Sequence, residues 1–259
     1  MMIGKGLLCC GILAFLMQHS SLTQAQSDEE QVGRAAAAQV LGAAPLINSE
    51  LIQQYLNLLG HSLSSKGDGV YKWRFGAIVS DAINAFAMPG GFILVSTGLL
   101  KLLENEDELA FVLAHEIAHV SRKHHYQVVL RQRLAEQASK GLQGVVNSDE
   151  ISKLASASGQ IYARGLDKGA EFEADRLGVE IITRAGYDPI AAFNVLERLQ
   201  RFKGNDPRAE LLFATHPSPA ERIDMLLQSG LDKLPRPSSE TNTNRHARFK
   251  KLVQNLSSF

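Results

Sequence analysis

The chain has no excess of charge, almost no cysteine and no long apolar run. Its 27 Lys and Arg residues balance 27 Asp and Glu residues, whereas nucleic-acid-binding surfaces carry a basic surplus. Nucleic acid is therefore not an expected partner. No apolar run reaches the roughly 18 residues that a membrane-spanning helix of ordinary length requires. The two cysteines, Cys9 and Cys10, both lie near the N-terminus. Loss of that segment would leave a chain with no disulfide and no thiolate metal ligand. What is present is a globular composition, 45% apolar and 21% charged over 259 residues. That is enough to bury a sizeable core in one large domain or two small ones.

The N-terminus has the pattern of an export signal. Lys5 supplies a thin positive start, Gly6 to Met17 is apolar, and Thr23-Gln24-Ala25 suits cleavage after Ala25. Residues 1–25 are read as a signal peptide, either cleaved or retained as an anchor, which makes the protein periplasmic or secreted. An exported chain without disulfides has to be stabilised by its core, by a metal, or by both.

Beyond this segment the hydrophobic period changes along the chain. Residues 29–42 are Ala-rich and helical in pattern, and Asn48 is expected to cap a helix reaching Leu63. From Tyr71 to Val79 apolar and charged residues alternate, as in a half-buried strand. Ile83 to Met88 forms a second expected strand, Pro89-Gly90-Gly91 a turn, and Phe92 to Ser96 a third strand. Asn105 with Glu108 three residues on gives a capping-box pattern, opening a helix that runs through Val120 or on to Leu134. Residues 136–165, rich in Ala, Ser, Gly and Gln, read as a mobile connection suited to a lid over the site. Helices are expected from Ala170 to Arg184, from Asp188-Pro189 to Leu199, and after Ser218-Pro219. Pro235 to Asn244 reads as a polar linker. The basic segment Arg245 to Leu256 reads as a solvated or frayed end, with contact to an anionic membrane surface as the alternative.

The chemistry is concentrated in His115-Glu116-Ile117-Ala118-His119, an H-E-x-x-H motif. Imidazoles four residues apart leave one face of a helix and can reach a single metal ion. Catalytic zinc takes three protein ligands and keeps one open position, towards which Glu116 points as the base that deprotonates the attacking water. Phe111, Val112, Leu113, Ala114, Ile117, Ala118 and Val120 surround the motif. Burying a Glu and two His there is costly unless they are paired or bound to metal. The third ligand cannot be cysteine, and Glu171-Phe172-Glu173-Ala174-Asp175 is the best source. Glu171 and Asp175 share one helix face: one can bind the metal while the other accepts the spare N–H of a ligating histidine. Both could equally be acids at a helix N-terminus. His124 and His125 read as surface residues.

On these residues the chain resembles the gluzincin metallopeptidases of the HtpX, BepA and CaaX-prenyl-protease type. The similarity runs from about Gly33 to Ile223. Its points of match are Asn84-Ala85-Phe86-Ala87-Met88-Pro89-Gly90-Gly91, Leu113 to His119, Glu171 to Asp175, and His216-Pro217-Ser218-Pro219-Ala220-Glu221-Arg222. The resemblance implies Glu171 as third zinc ligand and Asp175 as partner of His115. It makes the strand with Asn84, Ala85, Phe86 and Ala87 the edge along which a substrate peptide adds. His216 would either stabilise the oxyanion or occupy the open metal position as a self-inhibiting ligand, two roles with opposite effects on activity. Arg222 either pairs with an acid near the site or forms a surface salt bridge.

The expectation is an α+β fold, a mainly helical zincin-like domain with a small sheet packed on the H-E-x-x-H helix. Residues 26–233 would be the catalytic domain, holding one zinc ion, and 234–259 the linker and basic segment. Similar membrane-bound members carry spans, and BepA-type members a C-terminal helical-repeat domain, so an isolated exported catalytic domain is expected. Its activity would be endoproteolysis of exported, unfolded or misassembled proteins. The alternative is a chaperone for outer-membrane proteins with a latched zinc site.

Overall fold

The computed structural model describes residues 26–69, 71–140, 165–202, 206–216 and 218–258. The expected signal peptide and most of the expected connection and lid at 136–165 lie outside these residues. Helix α1 (26–43) leads to α2 (Glu50–Ser64), and strands β1 (Arg74–Ile78), β2 (Ala85–Met88) and β3 (Phe92–Ser96) follow. Helices α3 (Thr97–Leu102), α4 (Glu106–Ser121), α5 (His124–Lys140), α6 (Lys168–Arg184), α7 (Ala191–Gln200), α8 (Glu210–Thr215), α9 (Pro219–Gln228) and α10 (Ser239–Gln254) complete the described chain. This is the expected α+β architecture, mainly helical with one small sheet. No helix among the described residues is long and apolar enough to cross a membrane.

The sheet order is β1-β3-β2, with β1 parallel and β2 antiparallel to β3. Gly90 and Gly91, at φ 77° and 96°, supply the left-handed backbone that turns β2 into β3. The alternation from Tyr71 to Val79 predicts a strand half-open to water, but β1 is buried along almost its whole length. Two layers account for this. Phe75, Ala77, Ala85, Ala87, Ile93 and Val95 face the main core, while Ile78, Phe86, Met88 and Leu94 are covered by Ala36 and Ala37 of α1.

Helix α2 closes the outer edge of β1 with side-chain amides rather than another strand. Gln53 donates to Ala77 O and accepts from Ala77 N, both at 3.0 Å. Asn57, one turn on, donates to Phe75 O at 2.7 Å and accepts from Phe75 N at 3.3 Å. Residues 45–47 share this edge, Ile47 N donating to Ala77 O at 2.9 Å and Val79 N to Pro45 O at 2.8 Å, and together they satisfy its backbone groups. β2 is then the other outermost strand of the described sheet.

Helix α4 is buried on every side from Glu106 to Val120, which marks a central core helix. Asn105 caps it, its side chain accepting from Glu108 N at 2.9 Å. The Glu108 carboxylate reaches back to Glu104 N rather than to Asn105 N, so the capping box is displaced by one residue.

Several expected boundaries move. Ser49 occupies the cap of α2 in place of Asn48. α7 begins at Ala191 because Asp188 and Pro189 form a turn that precedes it, with Asp188 Oδ1 accepting from Ile190 N. α4 stops at Ser121 because Lys123 adopts φ 58°, a left-handed break that turns α5 in a new direction. The C-terminus is not frayed. Phe249, Leu252 and Leu256 are buried in the main core, and Arg248 and Arg245 pair with Glu106 and Asp107 in the first turn of α4. An amphipathic helix with eight polar residues at its start, Ser239 to His246, hides its apolar face from a reading by composition.

A candidate metal centre on the central helix

Four segments converge at the middle of α4. His115 and His119 leave it one turn apart, with Nε2 atoms 2.9 Å from each other. α6 crosses close by because Gly178 has no side chain: a Cβ there would stand 3.2 Å from His115 N and 3.3 Å from His115 Cα. That crossing, with Asp167 capping α6 through Ala170 N, brings Glu171 and Asp175 to the histidines. α8 ends at His216, and α9 contributes Arg222.

Glu171 Oε2 lies 3.6 Å from His115 Nε2, and Glu171 Oε1 lies 3.4 Å from His119 Nε2. His216 Nδ1 is 2.7 Å from Glu171 Oε2. One donor atom from each of His115, His119, Glu171 and His216 falls within 4.8 Å of the others. Nitrogen and oxygen ligands held about 2.0–2.2 Å from a tetrahedral zinc stand roughly 3.3–3.5 Å apart. The separations of Glu171 from His115 and His119, 3.6 and 3.4 Å, suit one such cation. The chemistry fits as well: Glu171 is fully buried and its Oε1 has no hydrogen-bond partner among the described residues, a costly state that a cation would relieve.

Around these donors lies a set of orienting contacts. His115 Nδ1 is 3.0 Å from Asp175 Oδ1, so the carboxylate accepts the spare N–H and directs Nε2 into the site. Arg222 clamps Asp175 with two charge-assisted bonds, Nε to Oδ2 at 2.7 Å and Nη2 to Oδ1 at 2.6 Å. Arg222 is 4% exposed, which excludes the surface salt bridge. Burial favours a neutral Asp175, but the Arg222 charge and hydrogen bonds outweigh it and hold the carboxyl well below the usual range. For Glu171 the same contest, won by His216, His115 and Arg222, leaves a pKa of about 2. Burial raises Glu116 and lowers His119. His216 is raised, because the Glu171 carboxylate outweighs the effect of burial.

A cavity of about 40 Å³ opens beside the histidines, lined by Glu116, His216 and Arg222 on its polar side. Its apolar wall includes Leu99, Val112, Val195 and Leu196. Asn84 and Ala85 reach it from β2, and Asn84 Oδ1 is buried there without a partner among the described residues. Phe86 turns to the opposite face of the sheet and Ala87 packs into the main core, so only half of the expected edge segment meets the cavity. The strand's period of two accounts for Phe86 alone, since Ala85 and Ala87 share the core-facing side.

His124 and His125 are buried, not on the surface. The break at Lys123 turns them back beneath His119, where burial lowers both, His125 to about 3. The helix break at Lys123 was the missing signal.

A profile of peptidase family M48 matches residues 45–229. The chain belongs to peptidase family M48. It is 34% identical over 209 residues to the beta-barrel assembly-enhancing protease of Escherichia coli K12, covering 75% of this chain and 42% of that protein. The Yersinia pestis protein of the same name is 32% identical over 237 residues, covering 86% and 48%. A mitochondrial metalloendopeptidase of Arabidopsis thaliana is 30% identical over 177 residues, covering 66% and 34%. The chain thus spans less than half the length of these curated relatives. The family is one of metallopeptidases, whose substrates are polypeptides.

Proposed function

We propose that the chain is a zinc endopeptidase with one ion held by His115, His119 and Glu171, acting on unfolded or misassembled proteins of the cell envelope. The observation that carries this is the convergence of buried donors around Glu171, with Glu116 beside them on the cavity wall. Zinc, when bound, supplies Lewis acidity at the scissile carbonyl and lowers the pKa of water. Glu116 takes the proton of the attacking water and returns one to the leaving amine. Its raised pKa suits both transfers near neutral pH. Asp175 holds His115 in the required tautomer, and Arg222 keeps Asp175 charged. Asn84 Oδ1 accepts a backbone N–H of the substrate, and the apolar wall takes one of its apolar side chains. The names of the relatives support an envelope substrate, and the signal-like residues 1–25 support export to the periplasm.

His216 stands close enough to complete a four-ligand set, and this favours a latched state of the same enzyme as the second reading. Casein cleavage by wild type, Glu116→Gln and His216→Ala tests both. Cleavage by wild type that vanishes in Glu116→Gln supports the open enzyme, and cleavage appearing only in His216→Ala supports the latch. No cleavage in any of the three, with zinc bound, would refute the peptidase.

A further inference from the structure

We infer that His124 and Glu173 form a relay that orients the metal-facing imidazole of His119, so that both are positioning residues of the metal centre. The inference rests on the zinc reading above and extends it to residues that supply no ligand atom.

The two histidines of α4 need the same thing: a neutral ring with its lone pair on Nε2 and its proton on Nδ1. For His115 the partner of that proton is Asp175. Among the described residues no carboxylate lies at His119 Nδ1. What lies there is a second imidazole, with His119 Nδ1 and His124 Nδ1 3.0 Å apart and the rings nearly perpendicular at 73°. Of two nitrogens at that distance, one donates and the other accepts. If His124 were the donor, His119 would carry its proton on Nε2 and turn an N–H towards Glu171 and His115 Nε2, where a cation belongs. Metal binding therefore fixes the direction. His119 Nδ1–H donates, His124 Nδ1 accepts, and the remaining proton of His124 sits on Nε2. That atom is 3.3 Å from Glu173 Oε2, which accepts it. The other oxygen of Glu173 is 3.1 Å from Arg122 Nε. Every proton in the series has one placement.

The local fold is built for this contact. His124 can reach His119 only because Lys123 breaks the helix at φ 58°. Glu173 lies on α6 two residues from both Glu171 and Asp175, about 200° round the helix from each, so it meets His124 from outside the metal-facing side. The two arms differ in strength. Asp175 is buried and touches His115 directly, whereas the Glu173 side chain is 39% exposed and acts through a neutral ring. The relay should therefore fix the orientation of His119 more than it raises the basicity of its nitrogen.

The test is zinc affinity, measured by chelator competition on the purified full chain, together with the visible spectrum of the cobalt-substituted protein and the urea stability of the metal-free form. His124→Leu removes acceptor and donor and is expected to weaken zinc about 10–100-fold and to alter the cobalt spectrum. His124→Asn returns an acceptor oxygen close to the lost Nδ1 and should recover most of the affinity, which a merely structural role would not require. Glu173→Leu should weaken zinc in the same direction and Glu173→Gln should restore it, a pair that reports even where His124→Leu fails to fold. Unchanged affinity in His124→Leu or Glu173→Leu, or no recovery in His124→Asn, overturns the relay while leaving the metal centre intact. A wild-type chain without stoichiometric zinc binding overturns both.

Discussion

Replacing Arg222 by Met removes a guanidinium that is 4% exposed and makes two bonds of 2.6 and 2.7 Å to Asp175. Met fills most of the volume, so packing changes little and the main effect is electrostatic. Asp175, itself 1% exposed, is left with His115 Nδ1 as its remaining close polar partner. Breaking a buried pair from one side costs about 3–5 kcal/mol, most of it the desolvation of the stranded charge. For a chain of this length that corresponds to a fall in Tm of roughly 6–20 °C. The origin of the loss is checked by Arg222→Met/Asp175→Asn. Asn keeps an oxygen for His115 but carries no charge, so the double variant should be more stable than the sum of the single effects by about 0.5–3 kcal/mol. The assay is urea unfolding of the metal-free protein at neutral pH, followed by circular dichroism and the fluorescence of Trp73. A loss below about 1 kcal/mol in Arg222→Met, or strict additivity in the double variant, would show that the pair is solvent-screened and refute the reasoning.

Three further outcomes follow from the packing and the titrating groups. His125 titrates at about 3 in the fold because burial disfavours its charged form, against about 6.5 in the unfolded chain. The unfolded state therefore binds the extra proton between those values, and stability present above pH 6.5 is lost as pH falls, by up to about 1.4 kcal/mol per pH unit for this group. Urea midpoints of the metal-free protein from pH 7.5 to 5 should show that slope, and His125→Phe should flatten it. Phe249→Ala, in the core under α4, should cost about 3–5 kcal/mol in the same urea assay; a cost near zero would return the C-terminal helix to solvent. Asn84→Ala should raise KM for a peptide substrate with kcat little changed, since it removes the acceptor proposed for substrate backbone, and a loss confined to kcat would assign Asn84 a different part.

The two histidines proposed as ligands are legible because their signal is local. Two histidines one turn apart, with a glutamate between them in an apolar helix, leave few inexpensive alternatives to a metal. The pairing of Asp175 with His115 and the depth of Arg222 were not fixed by spacing, since they depend on how α6 and α9 cross α4. The sequence reading failed wherever a second layer intervenes. β1 alternates like a half-exposed strand, yet α1 covers its polar-looking side. Arg245 and Arg248 read as a solvated end because their partners, Asp107 and Glu106, lie well over a hundred residues away. His124 and His125, which read as surface residues, are buried because of a left-handed Lys123 that no composition rule anticipates.

The same facts show why the site needs the rest of the domain. A metal centre tolerates errors of only about 0.5 Å in its ligands, so they belong on elements whose own positions are fixed. Here the proposed ligands come from α4 and α6, with His216 at the end of α8 beside them, and α4 is their common reference. Its first turn is held from outside by Arg248 on Glu106 and Arg198 on Glu108, and Asp107 accepts from Asp188 N. Its middle is held by α6 at the distance that Gly178 permits. Acids in the first turn also complement the positive end of the helix dipole, so the helix supports the charges that anchor it. Two groups of buried carboxylates thus act separately: those near residue 106 fix α4, and Glu171 and Asp175 use the position so fixed. A substitution near Glu106 should disturb the site through a displaced α4, whereas one at Glu171 should leave α4 in place and remove only the donor.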